Sequence, residues 1–153
     1  MSATGTRGFT LIEMLVVVAI TGIILAVAAV NLFPSDAEVA RRESGMVALA
    51  VERARDAAWL GGRPTSVTFD AGRVRAWRLA GDAWRPIAGA DHALESSMRV
   101  LGLYVDGQQL KPDERLVFLP DGLGVPFRVG LEVRRLRWAI EGDMAGAVTL
   151  IEG

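Results

Sequence analysis

Gly8-Phe9-Thr10-Leu11-Ile12-Glu13 runs straight into Met14-Leu15-Val16-Val17-Val18-Ala19-Ile20 and on to Phe33, an apolar stretch without Asp, Glu, Lys or Arg. At about 1.5 Å per residue, the stretch from Met14 to Phe33 reaches roughly 30 Å, the thickness of a hydrocarbon core. It therefore predicts one membrane-spanning helix, with a carboxylate at its mouth. An acid at the centre of such a helix costs about 2.5–3.5 kcal/mol on insertion scales, and intramembrane acids are functional by default. Glu13 is accordingly read as a functional residue ahead of the plainer reading, the interfacial edge of an ordinary anchor. Arg7 is the one cation before the span, which keeps residues 1–8 cytoplasmic and sends the remainder across.

The stretch Gly8 to Ile20 resembles the prepilin amino terminus of type IV pilins and of the pseudopilins of type II secretion. The parts of the match are a Gly before the cut, a Phe after it, a Glu four residues beyond the Phe and an unbroken hydrophobic segment. In that family a membrane aspartyl protease, the prepilin peptidase, cuts on the cytoplasmic side, and the new amine is methylated. The resemblance implies cleavage between Gly8 and Phe9, N-methylation of Phe9 and a subunit-assembly role for Glu13. A residue without Cβ at Gly8 lets the backbone extend and approach a protease closely. After cleavage, Phe9 would carry a cationic amine, and opposite charges near 4 Å attract far more strongly in lipid than in water. Glu13 would gain by meeting that amine on a neighbouring subunit, the pairing that the family uses to recruit subunits and set their register. A rival reading takes Ala26-Val27-Ala28 as a secretory cleavage site. It leaves Glu13 without a purpose and needs an unusually long hydrophobic region.

Beyond the span, Pro34 breaks the pattern and Ser35 or Asp36 is placed to cap a second helical segment. From Ala37 to Leu60 the apolar residues Val39, Met46, Leu49, Ala50, Ala54, Ala57 and Ala58 recur at three- and four-residue steps, predicting an amphipathic helix. Gly61-Gly62 supplies its stop. Were both segments one helix from Phe9 to Leu60, it would run on the order of 78 Å, with its first half projecting. Gly22 is the weak point of that rod, either a place for local stretching or a packing contact with a neighbour.

From Arg63 to Gly153 the chain reads as short strands. Val67-Thr68-Phe69, the turn Asp70-Ala71-Gly72 and Val74 to Leu79 predict a hairpin, followed by Ala80-Gly81-Asp82 and Trp84 to Ile87. Met98 to Val105, Leu116 to Leu119, Phe127 to Val133, Leu136 to Ile140 and Ala147 to Ile151 are further strands. Residues Ala88 to Ser97 and Asp106 to Asp113 read as loops. Apolar parity flips between Val133 and Leu136, which calls for a turn or bulge near Arg134-Arg135. About ninety residues bury only a modest core, so the amphipathic helix should form one wall of it. The expected organisation is a cleaved leader at 1–8, a transmembrane and filament-core helix at 9–33, an amphipathic periplasmic helix at 34–62 and a β-rich periplasmic domain at 63–153. The fold class is α+β: a long amino-terminal helix packed on an antiparallel β-rich domain.

Within the pilin-like group the chain is similar to the H-type minor pseudopilins of type II secretion, which share a domain family with FimT/FimU-type minor pilins. Ala54-Arg55-Asp56-Ala57-Ala58, Val67-Thr68-Phe69 and Val117-Phe118-Leu119-Pro120-Asp121-Gly122 carry the similarity. It implies a structural subunit of a short periplasmic pseudopilus, near its tip, that helps export folded proteins. The implied partners are other minor and major pseudopilins, the prepilin peptidase and an inner-membrane assembly platform. The alternative is a minor pilin of a type IV pilus, acting in pilus assembly or DNA uptake.

Other chemistry finds little support in the inventory. His92 is the single histidine, in a loop-like stretch and without companions at metal or general-base spacing. No Gly-x-Ser-x-Gly elbow exists, and Asp121-Gly122-Leu123-Gly124 does not continue into a phosphate-binding pattern. Asp106, Asp113 and Glu114 miss calcium-loop spacing, so no metal and no cofactor are assigned. Zero Cys removes thiol chemistry. From Gly61 to Gly153, eleven Arg and one Lys balance twelve Asp and Glu, which disfavours DNA binding. Gly72-Arg73-Val74-Arg75 resembles the Gly-Arg-x-Arg signature of DNA-binding relatives but lies in the first hairpin and not near the carboxyl terminus. Arg134, Arg135 and Arg137 form a candidate basic patch. Trp59, Trp77, Trp84 and Trp138 are either interface anchors or, for most of them, core.

Overall fold

The computed structural model describes residues 9–32, 34–70 and 72–153, and the chain divides into two compact units between Ser35 and Asp36. The leader expected at 1–8, with Arg7 and Gly8, lies outside the described residues, as do Phe33 and Ala71.

The first unit carries α1, Leu11–Leu32. Its window Leu11–Ala29 is long and apolar enough to cross a membrane and is exposed along its length. A helix that is apolar on every side suits lipid, where all of its backbone groups are satisfied within the segment. The polar exception Thr21 is provided for, because its hydroxyl donates to the Val17 carbonyl at 2.8 Å. The helix runs unbroken through Gly22, and nothing lies within 4 Å of where a Cβ would stand there.

The second unit opens with α2, Asp36–Gly61. Pro34 and Ser35 are not helical, so the continuous rod from Phe9 to Leu60 is replaced by two helices. Pro34 has no amide to donate, and its ring obstructs the preceding turn. Asp36 and Glu38 in the first turn of α2 favour the positive end of its dipole. At the far end Gly62 takes φ 60°, the left-handed stop.

The buried stripe of α2 is Val39, Ala40, Ser44, Val47, Val51, Ala54 and Ala58. Val39, Ala54 and Ala58 lie on the face as expected; the rest of the expected face is corrected, since Met46 is 41 % exposed and Leu49, Ala50 and Ala57 lie half-buried at its margins. The step from Ala40 through Ser44, Val47, Val51, Ala54 and Ala58 is strictly four and three. Two valines and small side chains along that line let two sheets approach the helix closely.

Among the described residues ten strands follow: β1 Thr65–Asp70, β2 Arg73–Ala80, β3 Ala83–Pro86, β4 His92–Ala93, β5 Met98–Val105, β6 Gln108–Gln109, β7 Leu116–Phe118, β8 Phe127–Val133, β9 Leu136–Gly142 and β10 Val148–Glu152. One antiparallel sheet has the order β3-β2-β1-β7, with β4 also pairing β2; the other has the order β10-β9-β8-β5-β6. The two-residue strands β4 and β6 fall where loops were expected, because each is too short to show alternation. Helix α2 packs on both sheets, and the Thr65 hydroxyl ties it down by donating to the Ala54 carbonyl at 2.6 Å.

The core is Val47, Val51, Val67, Val74, Leu116, Phe118, Phe127, Val129, Leu131, Val133, Trp138 and Ile140 with their small neighbours. Phe118 and Phe127 meet edge to face, centroids 5.8 Å apart at 78°. Gly142 makes room for that pair, because a Cβ there would fall 1.9 Å from the Phe127 ring. The parity flip between Val133 and Leu136 is a two-residue hairpin turn. Arg134 and Arg135 both have positive φ, 50° and 69°, as a primed turn requires.

Candidate functional site

The amino-terminal residues come together on the first turn of α1. Phe9 and Thr10 precede the helix, and both Phe9 and Glu13 are exposed. Thr10 sits at the N-cap: its carbonyl accepts from the Glu13 and Met14 amides at 3.0 and 3.2 Å. Its Oγ1 also accepts from the Glu13 amide, at 3.3 Å. Thr10-Leu11-Ile12-Glu13 is thus a capping-box sequence, and Glu13 occupies its third helical position. The sequence reading passed over Thr10, although a Thr three residues before a Glu at the head of an apolar run is the signal for it. The Glu13 carboxylate itself has no hydrogen-bond or ion-pair partner among the described residues. An acid at this end of a helix is favoured by the dipole and remains free to meet a cation from outside the chain.

In the second unit, the carboxyl end of α2 borders a cleft of about 610 Å³ lined by Trp59, Phe118, Leu123, Val125 and Phe127, with Glu52, Asp56 and Asp143 among its acids. Trp59 is 65 % exposed and Leu123 72 % exposed, so the apolar lining opens to solvent. Arg55 closes one side. It pairs with Asp56 at 2.7 Å and Glu52 at 3.6 Å and donates to the Gly146 carbonyl. The turn it reaches is tight, with the Asp143 side chain accepting from the Ala147 amide at 2.8 Å. At Gly124 a Cβ would stand 2.5 Å from the Asp143 carbonyl, so only glycine permits this approach of the two loops. The polar side chains of the cleft are acids and one engaged guanidinium, with no nucleophile beside a base.

The remaining candidates are scattered. Arg134 pairs with Asp36 at 2.7 Å and lies 3.9 Å from Glu95, and its pKa is raised, first by the hydrogen bond to Asp36. Arg137 lies 3.9 Å from Glu132. The three-arginine patch is therefore largely neutralised, with Arg135 exposed. Glu95 is held below the ordinary carboxylate range, first by the Ser97 hydroxyl and next by the Ser97 amide, which donates to its Oε2 at 2.7 Å. His92 is not a solvated loop residue. It lies half-buried on β4 with a buried Nε2 that has no partner among the described residues. No group of three or more His, Asp or Glu side chains able to hold a metal ion occurs among the described residues. Of the four tryptophans, only Trp138 is core; Trp77 and Trp84 are half-buried and Trp59 is exposed.

Comparison with known proteins finds the prokaryotic N-terminal methylation motif over residues 4–29. The type II secretion system protein H of Escherichia coli (strain K12) is 31% identical over 134 residues, covering 79% of this chain and 78% of that protein. Among solved structures, the minor pseudopilin EpsH from the type II secretion system of Vibrio cholerae superposes with a TM-score of 0.57 at 15% identity, covering 74% of this chain and 98% of that one. The solution structure of Escherichia coli GspH gives a TM-score of 0.55 at 16% identity, covering 74% and 87% respectively. The structural likenesses establish the α+β pilin-like fold, and the sequence relative carries the family.

Proposed function

The chain belongs to the type II secretion system protein H family and is a minor pseudopilin; from this premise we propose that it is cut between Gly8 and Phe9, methylated on Phe9 and built into a periplasmic pseudopilus through Glu13. The observation that carries the assembly step is the Glu13 carboxylate, exposed without a partner on the first turn of an apolar helix. A carboxylate there is a poor guest of lipid and a strong attractor for the Phe9 amine of an adjacent subunit. The segment 9–33 would hold the subunit in the inner membrane and later in the filament core. The segments 34–62 and 63–153 would stand in the periplasm among the other pseudopilins. The role is structural: the subunit adjoins the filament tip, and assembly at an inner-membrane platform helps move folded proteins outward. The sequence relative is a secretion protein, which favours this reading over a type IV pilus.

Substitution tests the pairing. Glu13→Ala should leave the protein in the membrane fraction and sharply lower its co-purification with sheared pseudopili. Undiminished incorporation would remove the pairing from the account.

A further inference from the structure

The first sheet has a face turned away from α2. Val74 and Ala76 are buried toward the helix, so alternation points Arg73, Arg75, Trp77 and Leu79 of β2 outward. Trp77 lies opposite Pro86 and Leu79 opposite Trp84, which brings the two indoles to the same side. Arg115, just before β7, reaches over them: its guanidinium carbon stands 4.6 Å from the Trp77 ring centre and 5.7 Å from that of Trp84. Trp77 is itself fixed, donating from Nε1 to the Thr68 hydroxyl at 2.9 Å. A guanidinium held over indole rings is partly desolvated, which strengthens any carboxylate contact made at its edge.

The other cations of this face already have counter-ions. Arg73 lies 3.7 Å from Asp91, and Arg75 lies 3.7 Å from both Asp70 and Asp91. Arg115 has no ion-pair partner among the described residues, and its Nη1 is buried without an acceptor. The neighbouring Glu114 turns its Oε2 to the Lys111 amide, at 2.7 Å.

We propose that the Trp77–Arg115–Trp84 stack is a recognition site for an acidic segment of a partner protein. One carboxylate of that segment engages Arg115, and an adjacent apolar side chain lies on the exposed part of the indoles. Charge selects this occupant. A nucleic acid needs a row of free cations to follow its phosphates, whereas Arg73 and Arg75 are neutralised here and one cation remains. Tryptophan and arginine together are the residue types that most often dominate binding at protein interfaces.

The test uses the full chain in zwitterionic nanodiscs, with empty discs as the blank. Fluorescence anisotropy follows three labelled probes: a hexapeptide of alternating Leu and Glu, its Leu/Lys counterpart and an oligothymidylate. The Leu/Glu peptide should bind saturably, more weakly as salt rises, and the Leu/Lys peptide should not. Arg115→Met, which keeps an apolar stem over the indoles, should weaken binding about tenfold or more. Trp84→Leu should weaken it as well. If circular dichroism finds Arg115→Met unfolded, Arg115→Lys decides, since it keeps the charge but loses the planar, forked guanidinium, and it should bind several-fold more weakly. Absence of saturable peptide binding overturns the proposal. So does unchanged affinity in folded Arg115→Met or in Arg115→Lys, or oligothymidylate binding through Arg115 in place of the peptide.

Discussion

Gly142→Ala is expected to be among the most damaging single-methyl changes in this protein. A Cβ at Gly142 would stand 1.9, 2.4 and 2.6 Å from three atoms of the Phe127 ring. Carbon atoms rest at about 3.5–4.0 Å, so ring and methyl must separate by roughly 1.5 Å or more. The ring cannot swing freely: Phe127 is 7 % exposed and packs edge to face on Phe118 at 5.8 Å. Overpacking of this kind costs about 1–3 kcal/mol, and disturbing an aromatic pair adds about 0.5–1.5 kcal/mol. A total near 3 kcal/mol lowers the melting temperature of a domain of this size by about 10–15 °C. The assay is thermal unfolding of the full chain in detergent by near-ultraviolet circular dichroism, for wild type, Gly142→Ala and Gly142→Ala/Phe127→Leu. Part of the loss should return in the double variant, because the ring atoms that the methyl meets are gone. A melting temperature within about 2 °C of wild type for Gly142→Ala would refute the wedged-ring reasoning.

Arg135 pays a backbone cost in the β8–β9 turn, at φ 69° and exposed, so Arg135→Gly should raise stability by about 1 kcal/mol in denaturant unfolding; a loss would mean that the side chain holds the turn. The Glu95 carboxyl is held low first by the Ser97 hydroxyl. A depressed folded-state pKa adds stability that is present above the unfolded value and is lost as pH falls through the folded value. Ser97→Ala should therefore move the Glu95 midpoint up toward the ordinary range in an NMR titration and narrow the acid window of stability; an unmoved midpoint contradicts the assignment.

Much of this fold could be read before the structure, for physical reasons that also mark where the reading failed. Strands β5 and β8 showed their full extent because each is long enough to alternate between core and solvent. The two-residue strands β4 and β6 carry no period at all, so nothing in His92-Ala93 or Gln108-Gln109 announced them. Parity located the turn at Arg134-Arg135, yet two arginines give no hint of a conformation usually given to Asn or Gly. On α2 the period was right and Val39, Ala54 and Ala58 were placed on the buried line; the middle of the stripe was displaced, because Met46 and Leu49 look more core-like than Val47 and Ser44 while packing favours the smaller residues under two sheets. Glu13 stood out as a charge beside lipid. Thr10 did not, since its part is a backbone bond. The Arg115 stack joins residues far apart in sequence, and only the strand register brings them together.

Assembly through Glu13 requires a new amino terminus at Phe9, and the mass of the intact protein taken from its native membrane tests this most directly. The prediction is a chain that begins at Phe9 and carries one added methyl group. A polypeptide that still begins at Met1, or that starts beyond Glu13, would contradict it.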